Sequence, residues 1–178
     1  MGNYIIHSRD VDLAQDTLDS VGLKEEDRIF WQGYLLAEYW DNNTALDIFS
    51  HLSGKKSSTV NLHWRGNLLG KLNRFSEALP FLEEAMRLEP NRYNHHSHLG
   101  NVYRGLGRKE EAKLEYLTAL ELIWKKHLGR VEFIHLVRCY HGLVQLGERQ
   151  YSELEEMATT LAQDSDKVKP FELERIKF

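Results

Sequence analysis

Residues 62–90 read LHWRGNLLGKLNRFSEALPFLEEAMRLEP, and residues 96–124 read HSHLGNVYRGLGRKEEAKLEYLTALELIW. The second segment repeats the first. Gly66 recurs as Gly100, Ala78 as Ala112 and Ala85 as Ala119, each 34 residues further on. Asn67/Asn101, Leu72/Leu106, Arg74/Arg108, Glu77/Glu111 and Leu88/Leu122 keep the same offset. A period of this length, with small residues at fixed places, is the signature of stacked helix-turn-helix units. The predicted fold class is therefore all-α, a solenoid of tandem repeats whose end units need capping helices to cover their open faces.

The small residues have a mechanical reading. Gly66 and Gly100 fall mid-helix, where glycine costs about 1 kcal/mol relative to alanine. That cost is tolerable where a second helix must approach closely. Ala78, Ala85, Ala112 and Ala119 offer the facing small surface on that second helix. Leu62, Leu69, Leu82, Leu99, Tyr103 and Tyr116 fill the remaining space, and Pro90 stops the first pair. Pro80 is less comfortable: unless its helix starts near Ser76, it removes a ladder hydrogen bond.

Outward from this centre the pattern weakens. Residues 26–58 form a degenerate unit in which Gly33 and Ala45 stand where Gly66 and Ala78 stand later. The loop GKKSS is the expected joint between that unit and the unit at 59–91. The next spans 93–126, and its second helix, Glu110–His127, is expected to run long. A further degenerate unit covers 130–163, where Leu146-Gly147 echoes Leu106-Gly107. A capping helix is predicted over 8–22, with Val11, Ala14, Leu18 and Val21 on one face. Residues 164–178 form either a tail or a C-terminal cap. All these units belong to a single domain spanning 1–178.

On Leu-x-x-x-Gly-x-x-Leu, Ala78, Ala85 and Pro90, and on Leu99-Gly100, Tyr103, Leu106-Gly107, Ala112, Tyr116 and Ala119, the chain resembles the tetratricopeptide repeat (TPR) family. Two departures stand out: Asn73 where the family prefers glycine, and Trp124 where it prefers proline. The resemblance implies a right-handed superhelix whose first helices line a concave groove for an extended peptide or a short helix. Registered on Gly66 and Gly100, the groove-facing residues would be Phe30, Tyr34 and Glu38 in the first unit. His63, Asn67 and Lys71 follow in the second, then Ser97, His98, Asn101 and Arg104 in the third. Arg138, His141 and Gln145 complete the wall.

Composition narrows the function classes. The 178 residues are 42% apolar with a net charge of −4, and no Lys/Arg run exceeds a pair. A nucleic-acid binder usually carries a basic face, so no nucleic-acid partner is expected. No apolar stretch approaches the ~20 residues of a membrane span, and no secretory leader is visible at the start. The single cysteine, Cys139, excludes an internal disulfide and a multi-cysteine zinc site. It reads as a buried, reduced thiol. Cytoplasmic localisation is the simplest expectation.

The candidate sites can each be weighed against a plainer reading. Asn67 and Asn101 directly follow the small glycines, and a side-chain amide can pair with a peptide N–H and C=O together. An asparagine at each step would grip a backbone with little regard for its side chains; the plainer alternative is an amide that is solvated or bonds a neighbouring helix. Members of the family with a carboxylate clamp use lysine, asparagine and arginine. Asn67 and Arg138 fall near those places, but His63 and Ile134 replace the lysines. Phe30, Tyr34, Trp40 and Trp64 read first as inter-repeat packing and second as interface anchors. His95, His96 and His98 are expected at a surface helix start rather than in a metal site. No cofactor, metal or catalytic constellation is expected, and the Glu pairs read as solvated faces. The expected function is a non-enzymatic adaptor or chaperone that binds a protein or peptide segment. The alternatives are a secretion-type chaperone for one client, a homo-oligomer in which one tail fills the next groove, and a metal-dependent enzyme using His95 and His98.

Overall fold

The structure is a computed structural model and describes residues 22, 24–37, 41–52, 58–126 and 130–163. Within them run eight α-helices. The first four are α1 Glu25–Leu35, α2 Asn42–His51, α3 Ser58–Lys71 and α4 Phe75–Leu88. The second four are α5 Tyr93–Gly105, α6 Lys109–Trp124, α7 Arg130–Gln145 and α8 Ser152–Gln163. A short 3-10 turn, Arg149–Tyr151, leads into α8. The described residues contain no strand. Each helix packs on its chain neighbours, and α5 also touches both α3 and α7. The result is an all-α solenoid of tandem helical hairpins in which α3, α5 and α7 share one wall. The capping segment 8–21, Glu38, Trp40 and the tail 164–178 lie outside the described residues.

Three hairpin turns repeat one hydrogen-bond scheme. Arg74 N–H donates to Leu69 O at 2.9 Å, Arg108 N–H to Tyr103 O at 2.9 Å, and Glu148 N–H to Leu143 O at 3.1 Å. Each bond spans five residues back, the closure of a Schellman motif, which needs one residue in the left-handed region. Gly107 and Gly147 supply it at φ 75° and 98°, and Asn73 supplies it at φ 59°. Asparagine is the non-glycine residue that best tolerates this conformation. The departure at Asn73 is thus chemically conservative.

Glycine and a large side chain interlock where the helices cross. A Cβ on Gly66 would stand 2.5 Å from Leu82 Cγ, and one on Gly100 would stand 2.5 Å from the Tyr116 ring. Tyr116 goes further, since a Cβ on Gly142 of α7 would also overlap its ring. This fully buried tyrosine therefore wedges between α5 and α7 and joins two hairpins. Across the earlier joint, Asn61 Nδ2 donates to the carbonyls of Phe49 and Leu52 at 2.6 and 3.1 Å. Those bonds satisfy the open C-terminal end of α2.

Three expectations change. Helix α4 begins at Phe75, beside Ser76 as the milder reading of Pro80 required, yet Pro80 still lies beyond its first turn, so one ladder bond is forgone; the residue sits on the exposed side of the helix. Helix α6 ends at Trp124 rather than at His127, because Lys125 and Lys126 already form the turn. His95, His96 and His98 do not lie on a surface: they are 1%, 7% and 6% exposed, because neighbouring inner helices close over them.

The glycine interlock is testable by substitution. Gly142→Ala should destabilise the protein by about 1–3 kcal/mol in urea denaturation, since the added methyl meets a buried ring that cannot move away. Gly70→Ala meets only Val102 Cγ2 at 3.5 Å and should stabilise by up to about 1 kcal/mol through helix propensity. Equal effects at the two positions would refute the interlock.

Candidate binding cleft on the inner helices

The residue after each mid-helix glycine is turned about 100° away from the partner helix. That rotation brings Asn67 of α3 and Asn101 of α5 to the shared inner wall. One turn further on, Lys71 and Arg104 follow them. Together with His98 of α5 and Arg138 of α7, these side chains line a cleft of about 150 Å³. Six sequence-predicted site residues therefore meet here. Among the described residues no carboxylate lines the cleft, and three cations do: Lys71, Arg104 and Arg138.

The three remaining candidates lie elsewhere. Tyr34 belongs to an aromatic cluster, with Trp31 at 5.5 Å and Trp64 at 5.2 Å between centroids. Trp64 stacks in turn on Phe49, and Phe30 packs edge-on against Phe49. His141 is exposed and pairs with Glu155 at 2.7 Å. His63 is 7% exposed and points its Nδ1 at His95 Nδ1, 3.0 Å away. Ser97, also expected in the groove, is fully buried. Helix α5 is enclosed on more of its circumference than registration on Gly100 implies, since α3, α4, α6 and α7 all contact it.

The two asparagines are not equivalent. Asn101 Oδ1 accepts a hydrogen bond from the Tyr116 hydroxyl at 2.6 Å. That hydroxyl also accepts from Arg104 Nε at 3.4 Å. Asn67 is 6% exposed and bonds to no described group, although both halves of its amide are capable of bonding. Lys71 Nζ donates to the Ala37 carbonyl at 2.7 Å. Arg138 Nη1 donates to His135 Nδ1 at 2.9 Å and reaches His98 Nε2 at 3.5 Å.

Behind the cleft runs a stack of imidazoles. Ring centroids separate His63 from His95 by 4.9 Å, His63 from His98 by 4.9 Å, and His98 from His135 by 5.5 Å. Ser97 Oγ lies 2.7 Å from His135 Nδ1. Burial, followed by the charge of neighbouring groups, pushes His63 down to about 3 and His95 down to about 4. Burial and the Arg138 guanidinium hold His98 and His135 well below the usual range. All four are therefore neutral near pH 7. Their acceptor nitrogens suit the Arg138 donor. His95 Nε2 is buried without a partner. His96 differs: burial alone would lower it, yet bonds to Glu115 at 2.6 Å and to the Pro90 carbonyl at 2.7 Å raise it. Among the described residues no group of three or more His, Cys, Asp or Glu side chains could hold a metal ion.

Two residues of the site carry no binding signal in the sequence: His135, and Tyr116, which reads there as packing. A trace of the second is nonetheless visible there. Tyr116 occupies the place of Leu82, 34 residues on, so a hydroxyl enters a position that is otherwise purely apolar.

The profile of the tetratricopeptide repeat matches residues 61–92 and 96–123, the two hairpins that carry the cleft. These two hairpins are tetratricopeptide repeats. The chain's tetratricopeptide array aligns with MamA of Desulfovibrio magneticus RS-1 at a TM-score of 0.61 and 16% identity. That alignment covers 89% of this chain and 88% of the other. A MamA RS-1 ArsTM double mutant superposes equally well, with a TM-score of 0.61 and 16% identity. At such identity the likeness concerns the fold alone. By sequence the array is 28% identical over 123 residues to Protein O-mannosyl-transferase TMTC3 of Mus musculus and of Homo sapiens. The match takes in 66% of this chain but only 13% of those proteins. Within the described residues of the array, no helix is long and apolar enough to cross a membrane.

The stack predicts an acid-labile tetratricopeptide array. A histidine whose folded value lies below its unfolded value stabilises the fold fully above about pH 6.5 and loses that contribution as the pH falls toward the folded value. Between about pH 7.5 and pH 5, one such imidazole should remove about 2 kcal/mol of stability. His96 works in the opposite direction, its contribution being complete in acid. Urea midpoints across this range should fall with acidification; unchanged midpoints would show that the imidazoles are not buried in neutral form.

Proposed function

We propose that this protein is a non-enzymatic interaction scaffold holding a peptide segment of a partner protein along the wall formed by α3, α5 and α7. An acidic side chain of that segment would sit in the cleft. The reading takes the chain as one array of four hairpins.

One observation carries the proposal. Asn67 is nearly buried, opens on the cleft and has no bond to any described group. Its amide atoms open on the cleft, where they can offer two donors and an acceptor to an occupant. The three cations around it, with no lining carboxylate among the described residues, favour an anionic one. Guanidinium and ammonium groups bond carboxylates more strongly than neutral acceptors. The overall charge of −4 disfavours a polyanion such as a nucleic acid, which engages a broad basic face rather than a single cleft.

Neither catalysis nor redox chemistry suits the remaining groups. Cys139 is fully buried, and burial pushes its thiol up to about 12, so it would not ionise as a nucleophile. A buried free thiol suits a reducing compartment such as the cytoplasm.

Binding and stability should oppose each other at Asn67. Asn67→Ala gains helix propensity, so thermal unfolding should show a gain of about 0.5 kcal/mol. The same variant should bind a capped tetraglutamate peptide roughly tenfold more weakly in fluorescence anisotropy. Wild-type protein should prefer tetraglutamate to tetraglutamine, with an affinity that falls as salt rises. No preference, or a destabilised variant with intact binding, would overturn the reading.

A further inference from the structure

Tyr116 belongs to α6, an outer helix, yet its phenol ends at the inner wall. The path is dictated by the two glycines: the ring lies against Gly100 on one side and Gly142 on the other, with no room for a Cβ at either. A tyrosine held this way has no alternative rotamer to adopt. Its hydroxyl is therefore a fixed point, delivered to the back of the cleft by packing alone.

One arrangement at that point gives every donor an acceptor, the hydroxyl proton included. Arg104 Nε is always a donor, so the Tyr116 oxygen accepts from it at 3.4 Å. The hydroxyl proton must then go to its other neighbour, 2.6 Å away, which requires that neighbour to be an acceptor. The Asn101 amide is thereby oriented with Oδ1 turned toward Tyr116 and Nδ2 turned the other way. Burial raises the phenol to about 12, so the donating proton is retained at neutral pH. The sequence had suggested that each asparagine pairs with both N–H and C=O of a peptide, but this orientation withholds the Asn101 acceptor.

We propose that Tyr116 is the positioning residue that sets what the cleft recognises. By engaging the Asn101 carbonyl, it leaves the cleft lined by donors from Asn101, Arg104, Lys71 and Arg138. The cleft then selects a carboxylate side chain over the neutral amide of the same shape. This inference rests on the peptide-holding role above and assigns its specificity to a residue that touches no ligand. An amide ligand would bring its own NH2 group against the donors of the wall, with only the Asn67 carbonyl, for which the peptide N–H competes, to receive it, whereas a carboxylate has only acceptors.

Tyr116→Phe separates this role from the structural one, because it keeps the ring between the glycines and deletes only the oxygen. Melting should stay within a few degrees of wild type. The tetraglutamate-to-tetraglutamine affinity ratio should fall roughly five- to tenfold, the worth of one misplaced hydrogen bond. In 1H–15N spectra of the free proteins, the Asn101 side-chain amide pair should move strongly while that of Asn67 stays in place. Unmoved Asn101 resonances would overturn the proposal whatever the peptides do. A variant that retains the full wild-type preference would overturn it as well. Wild-type protein that binds neither peptide would instead sink the acidic-peptide reading, and the Asn101 resonances would still report on the orientation.

Discussion

The interlock of glycine with a large side chain is the constraint on which the rest of this structure depends. Gly66 under Leu82, and Gly100 and Gly142 around Tyr116, set how closely inner and outer helices approach. Packed interiors do not deform continuously, so this spacing also fixes the rotation of each inner helix. Asn67 and Asn101 reach the inner wall because the residue before each is clamped against the outer helix. Lys71 and Arg104 follow one turn later on the same faces. The cleft is a by-product of a packing rule, and the chemistry is added at positions that the rule leaves free.

The interior behind the cleft is unusually polar. His63, His95, His98 and His135 occupy space that aliphatic side chains could fill. Each must be neutral to remain there, since an isolated buried charge is expensive. In exchange, the stack presents bare ring nitrogens to Arg138, which donates to His135 and approaches His98. Apolar residues would make a more stable core but would remove these two ring-nitrogen contacts of the guanidinium. The histidines therefore link the stability of the array to the geometry of the cleft, and do so over three successive inner helices.

Donors dominate the cleft wall for reasons that differ from residue to residue. Arginine and lysine can only donate. Asn101 becomes a donor through the bond its carbonyl accepts from Tyr116. Asn67 alone retains both halves of its amide. An occupant rich in acceptors with one donor would match this arrangement.

Much of the fold was legible in the sequence because it rests on short-range periodicity. The offset of 34 residues, the glycines at 66 and 100 and the alanines facing them determine helical hairpins that stack. The turn at Asn73 was flagged as a departure, and it adopts the backbone conformation of Gly107 and Gly147. By contrast, the burial of His63, Ser97 and His95 was decided only by the tertiary structure. A helical repeat specifies which face meets its own partner helix; how far the next inner helix closes over the adjacent face depends on the superhelical curvature, which no single repeat encodes. The orientation of Asn101 likewise required α6 and α7 to be in place, because the hydroxyl that turns it comes from one and the glycine that admits the ring comes from the other.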